Sequence, residues 1–179
     1  MRVRTLILLA AAMLVAAGAQ AQWRDWDSDF DEDKKPWKEI EAKIPPYPKD
    51  ADLVRFDAGA ATPHRFFLDA SSIVIGDDQV VRYTLVVKTA GGATNVTFEG
   101  IRCHAREQKT YALGHANSSW GRARNPQWRR IEYREVNRHH GTLFTDYLCG
   151  GTGSERYPLA SVKEILQRVR YGPPAQVIQ

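Results

Sequence analysis

The chain has 179 residues, of which 25 are Lys or Arg and 21 are Asp or Glu, giving a formal net charge of +4. This length suits a single domain that can bury a core of its own. So small a net charge gives no strong attraction to nucleic acid, and we expect no nucleic-acid partner.

Residues 1–21 have the pattern of a secretory signal peptide. Arg2 and Arg4 precede a charge-free apolar stretch over 6–18, and Ala19-Gln20-Ala21 is the small-x-small pattern that signal peptidase cleaves. The stretch is shorter than the roughly 20 residues that span a bilayer; an uncleaved N-terminal anchor is the alternative. The leader ends without a Cys for lipid attachment. The sequence therefore predicts a periplasmic protein that is not a lipoprotein and has no stable membrane insertion after cleavage.

Residues 22–52 differ in composition from the rest of the chain. They hold ten acidic and six basic side chains. Pro45, Pro46 and Pro48 then block both a helix and a central strand. We predict an acidic, Pro-rich flexible arm over this range.

Candidate metal ligands are present, but their spacing is wrong. Residues 25–29 alternate Asp with other residues, like the start of a calcium loop. That loop needs Gly at its sixth position and Glu at its twelfth, where this chain has Phe30 and Pro36. His139 and His140 would point to opposite faces if they lay on a strand. We expect no metal and no cofactor.

Residues 53–179 predict a single domain that is mostly β. Strand patterns cover 64–68, 72–75, 80–88, 94–103, 107–113 and 141–149, with turn signals between several of them. Within 80–88, alternate positions form one apolar row that we expect to face the core: Val81, Tyr83, Leu85 and Val87.

Single residues and the segments between the predicted strands give further predictions. Gly100 indicates a bulge or a close approach of another group to the strand, and we expect Tyr111 and Leu113 to point inward. Residues 114–127 predict a long loop, residues 128–136 are ambiguous between strand and helix, and the glycines of 150–153 predict a loop.

The C-terminal region carries the clearest helix pattern. Ser161 followed by Glu164 fits a capping box, and Gly172 fits a stop signal. Apolar residues lie at helical spacing between them: Val162, Ile165, Leu166 and Val169. The predicted fold is α+β, a mostly antiparallel sheet of meander type covered by one C-terminal amphipathic helix.

Two cysteines, Cys103 and Cys149, occur in the chain. We expect them to form a disulfide after export. Closing a loop of about 47 residues would stabilise the fold by about 4 kcal/mol on the chain-entropy model. Two buried free thiols are the alternative.

The most informative cluster is basic and aromatic. From Arg102 to Arg138 there are nine Lys or Arg against three Glu. Guanidinium groups pair with phosphate or carboxylate and stack on indole rings. The candidate binding residues are Arg122, Arg124, Trp128, Arg129 and Arg130. The expected partner is an anionic envelope component or an acidic protein. The alternatives are a solvated sheet edge protected by its positive charges and internal docking of the acidic residues 25–33.

No motif fixes a reaction. The serines do not match Gly-x-Ser-x-Gly or Ser-x-x-Lys, and the chain reads as a non-enzymatic binding domain. The alternative function is a hydrolase acting on an envelope polymer. Glu99, in a predicted strand with Glu132 or Glu135 as a second carboxylate, is the weak catalytic candidate.

Several segments resemble one known family. They are the Trp37 to Pro48 stretch, Val81-Arg82-Tyr83, Phe98 to Cys103, Tyr111, Trp120, Pro126-x-Trp128, Leu148-Cys149 and the C-terminal helix. Over residues 37–171 the chain resembles the cryptic neisserial protein-like family of beta-proteobacteria. The resemblance implies a leader and a periplasmic location. Some members are suspected lipoproteins, and this chain departs from them in lacking the lipid-bearing Cys. The family has no assigned activity, so no functional residue is carried over.

Overall fold

A computed structural model describes residues 36–59, 62–132 and 138–174. The predicted leader and the acidic residues 25–33, with their calcium-like spacing, lie outside the described residues. Chain contacts divide the protein into residues 1–38 and a compact unit of residues 39–179. In the part of the chain that is described, no helix is both long and apolar enough to cross a membrane.

Within these ranges, eight strands form one antiparallel sheet. They are β1 (Leu53–Phe56), β2 (Arg65–Asp69), β3 (Val74–Ile75), β4 (Val80–Lys88), β5 (Thr94–Arg102), β6 (Glu107–Gly114), β7 (Trp120–Arg122) and β8 (Arg129–Arg130). The spatial order is β1-β2-β4-β5-β6-β7, with β3 also paired to β4 and β8 also paired to β6. Short 3₁₀ turns lie at Asp50–Asp52 and Ala70–Ser72.

The C-terminal third adds helices and a hairpin. Helix α1 (Arg138–Thr142) continues into a π-helical segment (Leu143–Leu148). Strands β9 (Cys149–Thr152) and β10 (Glu155–Pro158) pair as a hairpin, and helix α2 (Val162–Tyr171) follows. The hairpin replaces the loop predicted over 150–153. Gly151 and Gly153, both at positive φ, allow its backbone to turn.

The main core lies between one face of the sheet and these C-terminal helices. Val81, Tyr83 and Leu85 of β4 are buried in it, as the alternation predicted. Ile165 and Val169 of α2 are buried against the same cluster. The fold is therefore the predicted α+β type, mostly antiparallel sheet with a C-terminal helix.

The predicted caps of α2 are confirmed. The Ser161 hydroxyl accepts a hydrogen bond from the Glu164 N–H at 3.2 Å. Gly172 ends the helix at φ +89°, and its N–H donates to the Arg168 carbonyl at 2.8 Å. Both contacts satisfy backbone groups that a helix end otherwise leaves unpaired.

The predicted Cys103–Cys149 disulfide is confirmed, with a Cα–Cα distance of 5.7 Å. Cys103 immediately follows β5, and Cys149 begins β9. Both residues are buried, at 0% and 1% exposure. The bond therefore ties the π-helical segment and the hairpin to the centre of the sheet.

The prediction of a last strand over 141–149 is wrong. Residues up to Leu148 are helical. Their apolar side chains lie at helical and not alternating spacing, and all of them are buried: Leu143, Phe144, Tyr147 and Leu148. Burying both apolar pairs on one side of the segment favours the helical path over an extended one.

The second face of the sheet is also buried. Val80, Arg82, Thr84 and Val86 of β4 point away from the main core, yet each is at most 6% exposed. Residues 39–48, a part of the flexible arm predicted over 22–52, have no regular secondary structure and contact this face. From here on, the arm means residues 39–48 alone. The sequence placed the domain boundary at residue 52, whereas the structure includes residues 39–52 in the same compact unit as the sheet.

Two polar anchors hold the start of the arm, and a third contact, from the Tyr47 hydroxyl to the His115 carbonyl at 3.1 Å, holds its end. The Glu39 carboxylate accepts hydrogen bonds from Lys109 at 2.8 Å, from Tyr111 at 2.8 Å and from the Trp128 indole at 3.1 Å. Burial opposes ionisation of Glu39, but these donors outweigh it and lower its pKa.

The second anchor clamps the backbone of Ile40. Its N–H donates to Asp78 at 2.8 Å, and its carbonyl accepts from Arg82 at 2.8 Å. Asp78 and Arg82 are themselves joined at 2.6 Å. Because the ion pair forms hydrogen bonds with both the N–H and the carbonyl of Ile40, it fixes the direction of the arm backbone as well as its position.

A bulge in β6 changes the direction of its side chains. Phe98 pairs with Ala112 and Glu99 pairs with Thr110, so Tyr111 is an extra residue on β6. Tyr111 points toward Phe98, with ring centroids 5.5 Å apart. The prediction that Leu113 points inward is wrong, because Leu113 is 49% exposed and Ala112 is buried in its place.

The close approach predicted at Gly100 is confirmed. A Cβ at this position would lie 2.8 Å from the Tyr111 hydroxyl and 3.0 Å from Val80 Cγ1. Only glycine leaves room for the Tyr111 ring to cross the strand and reach Glu39.

Candidate functional site

A groove of about 640 Å³ lies beside β6, on the side where β7 and β8 pair with its two ends. One wall is the face of β6 opposite the arm, with Gln108, Thr110 and Leu113. The other wall is the segment from β7 to β8. The predicted 114–127 loop is thus interrupted by β7, which pairs with the end of β6. The groove is lined by Gln108, Thr110, Leu113, His115, Gly121, Arg122, Ala123, Arg124, Asn125, Pro126, Gln127 and Arg129.

The structure brings together three of the five predicted binding residues. Arg122, Arg124 and Arg129 line this groove and are exposed. Arg122 also lines a second pocket of about 300 Å³ on the arm side, whose lining includes Glu39 and Glu41. Arg129 pairs with Gln108 and Arg130 pairs with Glu107 on β6. Since neighbours on a strand point to opposite faces, Arg130 lies on the other side of β8, outside the groove.

Trp128 also lies on the other side, where it supports the arm. Its indole N–H donates to Glu39, and its ring is 6.4 Å from that of Tyr111 in an edge-on arrangement. The Arg102 guanidinium and the Lys109 ammonium lie 5.7 Å and 5.6 Å from the ring centroid. Trp128 therefore helps to position the loop wall and does not face the groove.

The groove is positively charged without compensation from its own lining. None of the twelve described residues that line it is Asp or Glu. Across the ranges 36–59, 62–132 and 138–174, no carboxylate forms an ion pair with Arg122, Arg124 or Arg129. Other cations of the domain do pair, as Arg82 does with Asp78. An anion entering the groove would find guanidinium groups that need not first release a protein partner.

Two further lining residues were missed by the sequence analysis. The His115 ring packs so closely over Gly121 that a Cβ there would collide with it. Gln108 has a buried Oε1 that lacks a hydrogen-bond partner among the described residues. Both residues lie within the stretch from Arg102 to Arg138, but neither is Lys or Arg. The strand pairing that brings them together cannot be predicted from spacing alone.

Glu99, the weak catalytic candidate, lies in the main core and not in the groove. Its side chain is 4% exposed. The carboxylate accepts hydrogen bonds from Thr97 at 2.8 Å and Tyr83 at 3.1 Å, and it contacts His140 Nε2 at 2.8 Å. Burial opposes ionisation of Glu99, but His140 and Thr97 outweigh it and lower its pKa.

The pairing of His140 with Glu99 was not predicted, because the sequence assigns residues 139–140 to no element and the two partners are 41 residues apart. On α1 the two rings lie on neighbouring positions, with centroids 4.1 Å apart. Burial lowers the pKa of His140, but the Glu99 carboxylate outweighs burial and raises it. His139 stacks on Phe66 at 5.2 Å. Burial, followed by repulsion from His140, lowers the pKa of His139 to about 4.

These two histidines predict a stability maximum near pH 6.5. Between pH 4 and about 6.5, His139 is neutral in the folded protein and takes up a proton on unfolding. Its contribution to the free energy of unfolding is therefore present above the ordinary histidine pKa of about 6.5 and is lost as pH falls toward 4. His140 has the opposite sign, because its contribution is present below about 6.5 and is lost as pH rises through its raised pKa.

Urea unfolding between pH 4.5 and pH 8 would measure this profile. The His139 term predicts a loss of about 2 kcal/mol on going from pH 6.5 to pH 4.5. His139→Phe should remove most of this acid-side loss, whereas the same change at the exposed His104 should leave the profile intact. An acid limb unchanged by His139→Phe would contradict the assignment.

In the parts of the chain that are described, no cluster of three or more His, Cys, Asp or Glu side chains has the arrangement of a metal site. The two histidines of α1 are already engaged with Phe66 and Glu99. The chemistry that these residues support is hydrogen bonding within the core.

Comparison with known proteins gives one match. A family model described as the CNP1-like family, which is the cryptic neisserial protein-like family, matches residues 32–170. No curated protein and no solved structure matches the chain. The matched range includes the arm, all ten strands, the disulfide and nearly all of α2. The chain belongs to the CNP1-like family.

Proposed function

We propose that this chain is a non-enzymatic binding domain of the periplasm that holds an anionic partner in the groove of Arg122, Arg124 and Arg129. The observation that carries the proposal is that three exposed arginines line one concave surface in which none of the described lining residues is acidic. Guanidinium groups form paired, charge-assisted hydrogen bonds with phosphate and carboxylate. The volume of about 640 Å³ is in the usual range of small-ligand sites, about 300–1,000 Å³.

The periplasmic address is part of the proposal and is supported by the leader pattern of residues 1–21. The buried disulfide is consistent with that address, because such bonds persist in oxidising compartments. The anionic partners that this compartment offers are peptidoglycan carboxylates, lipid phosphates and acidic proteins.

The alternative, a hydrolase using Glu99, has less support. A general acid or base must come within hydrogen-bond reach of its substrate. The Glu99 carboxylate is 4% exposed and is already occupied by Tyr83, Thr97 and His140. These contacts are those of a buried structural carboxylate.

Site-specific photo-crosslinking in cells that export the chain tests the proposal. A photoreactive residue replaces either Gln127, which is exposed in the groove wall, or Gln167, which is exposed on α2. We expect an adduct with an envelope component from position 127 and at most a tenth as much from position 167. Equal yields at the two positions would count against the groove.

Charge removal gives the matched control. Changing Arg122, Arg124 and Arg129 together to Ser should reduce the adduct at least tenfold without lowering the melting temperature, since all three side chains are exposed. The control removes the same three charges outside the groove, at Arg65, Lys163 and Arg170, and should keep the adduct. Full crosslinking by the groove variant would reject the proposal.

A finer comparison uses two neighbours on β8. Arg129→Ser removes a guanidinium from the groove, whereas Arg130→Ser removes one from the opposite face of the same strand. Both variants lose one exposed charge, so a difference in crosslinking between them reports position and not net charge.

A further inference from the structure

The groove has an apolar side as well as a charged one. Leu113 is 49% exposed and lines the groove with Ala123 and Pro126, beside Arg122 and Arg124. Half-exposed leucines are common on protein surfaces when isolated. Here the leucine is part of the wall of a concave site, next to two guanidinium groups.

The bulge in β6 is the cause of this exposure. If Tyr111 occupied a regular position in the ladder, strand alternation would place residue 113 on the arm face with Tyr111 and Phe98. The bulge instead turns Leu113 to the face occupied by Gln108 and Thr110. The same backbone feature thus lets Tyr111 reach Glu39 and supplies an apolar surface to the groove.

From this juxtaposition of apolar and cationic walls we infer that the groove binds an anionic amphiphile: a single-chain lipid whose phosphate contacts the arginines and whose acyl chain lies along Leu113 and Pro126. The inference rests on the proposed function and names its ligand class. A free inorganic anion would leave the apolar wall in water, and a neutral lipid would leave the three guanidinium groups without counter-charges. A ligand with both parts matches both walls.

Titration calorimetry with the purified full-length exported chain tests this class. The probes are dodecyl phosphate below its micellar concentration, inorganic phosphate, and dodecyl maltoside as an uncharged amphiphile. We expect dodecyl phosphate to bind at least tenfold more tightly than either of the others. Tenfold corresponds to about 1.4 kcal/mol, the gain from burying about two methylene groups.

Two variants separate the walls. Leu113→Ser should bring the affinity for dodecyl phosphate close to that for inorganic phosphate and leave inorganic phosphate unaffected. Val74→Ser is the matched control, because Val74 is 54% exposed but lies outside the groove, and it should bind as the parent does. The near-ultraviolet circular dichroism of both variants should match the parent, since neither side chain is in the core.

The outcomes distinguish this inference from the proposal beneath it. If inorganic phosphate and dodecyl phosphate bind equally, and both need the arginines, the amphiphile is wrong and the anion groove stands. If dodecyl maltoside binds as well as dodecyl phosphate, the inference is overturned. If no probe binds while the crosslink at Gln127 still depends on the arginines, the partner is not a lipid and the inference also fails.

Discussion

His140→Ala should lower the free energy of unfolding by about 3–5 kcal/mol, because it leaves the buried Glu99 carboxylate without its cationic partner. Domains of this size are stable by about 5–15 kcal/mol in total. The loss is therefore a large fraction of the stability, and the variant should melt well below the parent. Urea unfolding near pH 6.5, where the histidine pair contributes most, is the measurement.

The control for this prediction is His104→Ala, at an exposed histidine for which we expect a change within about 0.5 kcal/mol. A second variant replaces both Glu99 and His140 with Leu. Apolar residues of similar volume do not need charge partners, so this double change should cost less than His140→Ala alone. If His140→Ala is as mild as His104→Ala, the pair is not an important source of stability.

Replacing Cys103 and Cys149 together with Ala should cost about 4 kcal/mol, the chain entropy of opening a loop of about 47 residues. Both cysteines are buried, so the change also removes two well-packed sulfur atoms from the core. Guanidinium unfolding of the oxidised parent and the double variant measures the difference.

A reductant provides the internal control. Dithiothreitol should lower the midpoint of the parent toward that of the variant and should leave the variant unchanged, because the variant has no bond to reduce. Reduction should be slow without denaturant, since the buried sulfur atoms must first become accessible. A variant less than about 1 kcal/mol below the oxidised parent would contradict the loop-entropy argument.

Local sequence patterns correctly predicted the elements that show clear apolar periodicity or clear capping residues. The row through Val81, Tyr83 and Leu85 gave the bounds and the inner face of β4 correctly, because strict alternation has few other interpretations. Ser161 and Gly172 gave the ends of α2 in the same way. The disulfide followed from pairing the two cysteines expected in an oxidising compartment.

The features that the sequence could not predict all depend on tertiary contacts. The bulge at Tyr111 breaks the alternation that placed Leu113 inward, and no turn residue marks it. The strand predicted over 141–149 is helical, because the apolar side chains of this short run pack together against the sheet, and spacing over so few residues is a weak guide. The five predicted binding residues lie between positions 122 and 130, but the chain places them on two faces of the sheet, with Arg129 in the groove and Trp128 and Arg130 on the other side.

The arm can be fixed in place only after the sheet that it covers has formed. Glu39 lies 70 residues before Lys109 and 89 residues before Trp128, the donors that it needs. Until β6 and the residue before β8 are in place, the Glu39 carboxylate lacks its partners, and the start of the arm is held only through Ile40, by Asp78 and Arg82. The N-terminal segment of the compact unit is therefore the last part to be closed during folding.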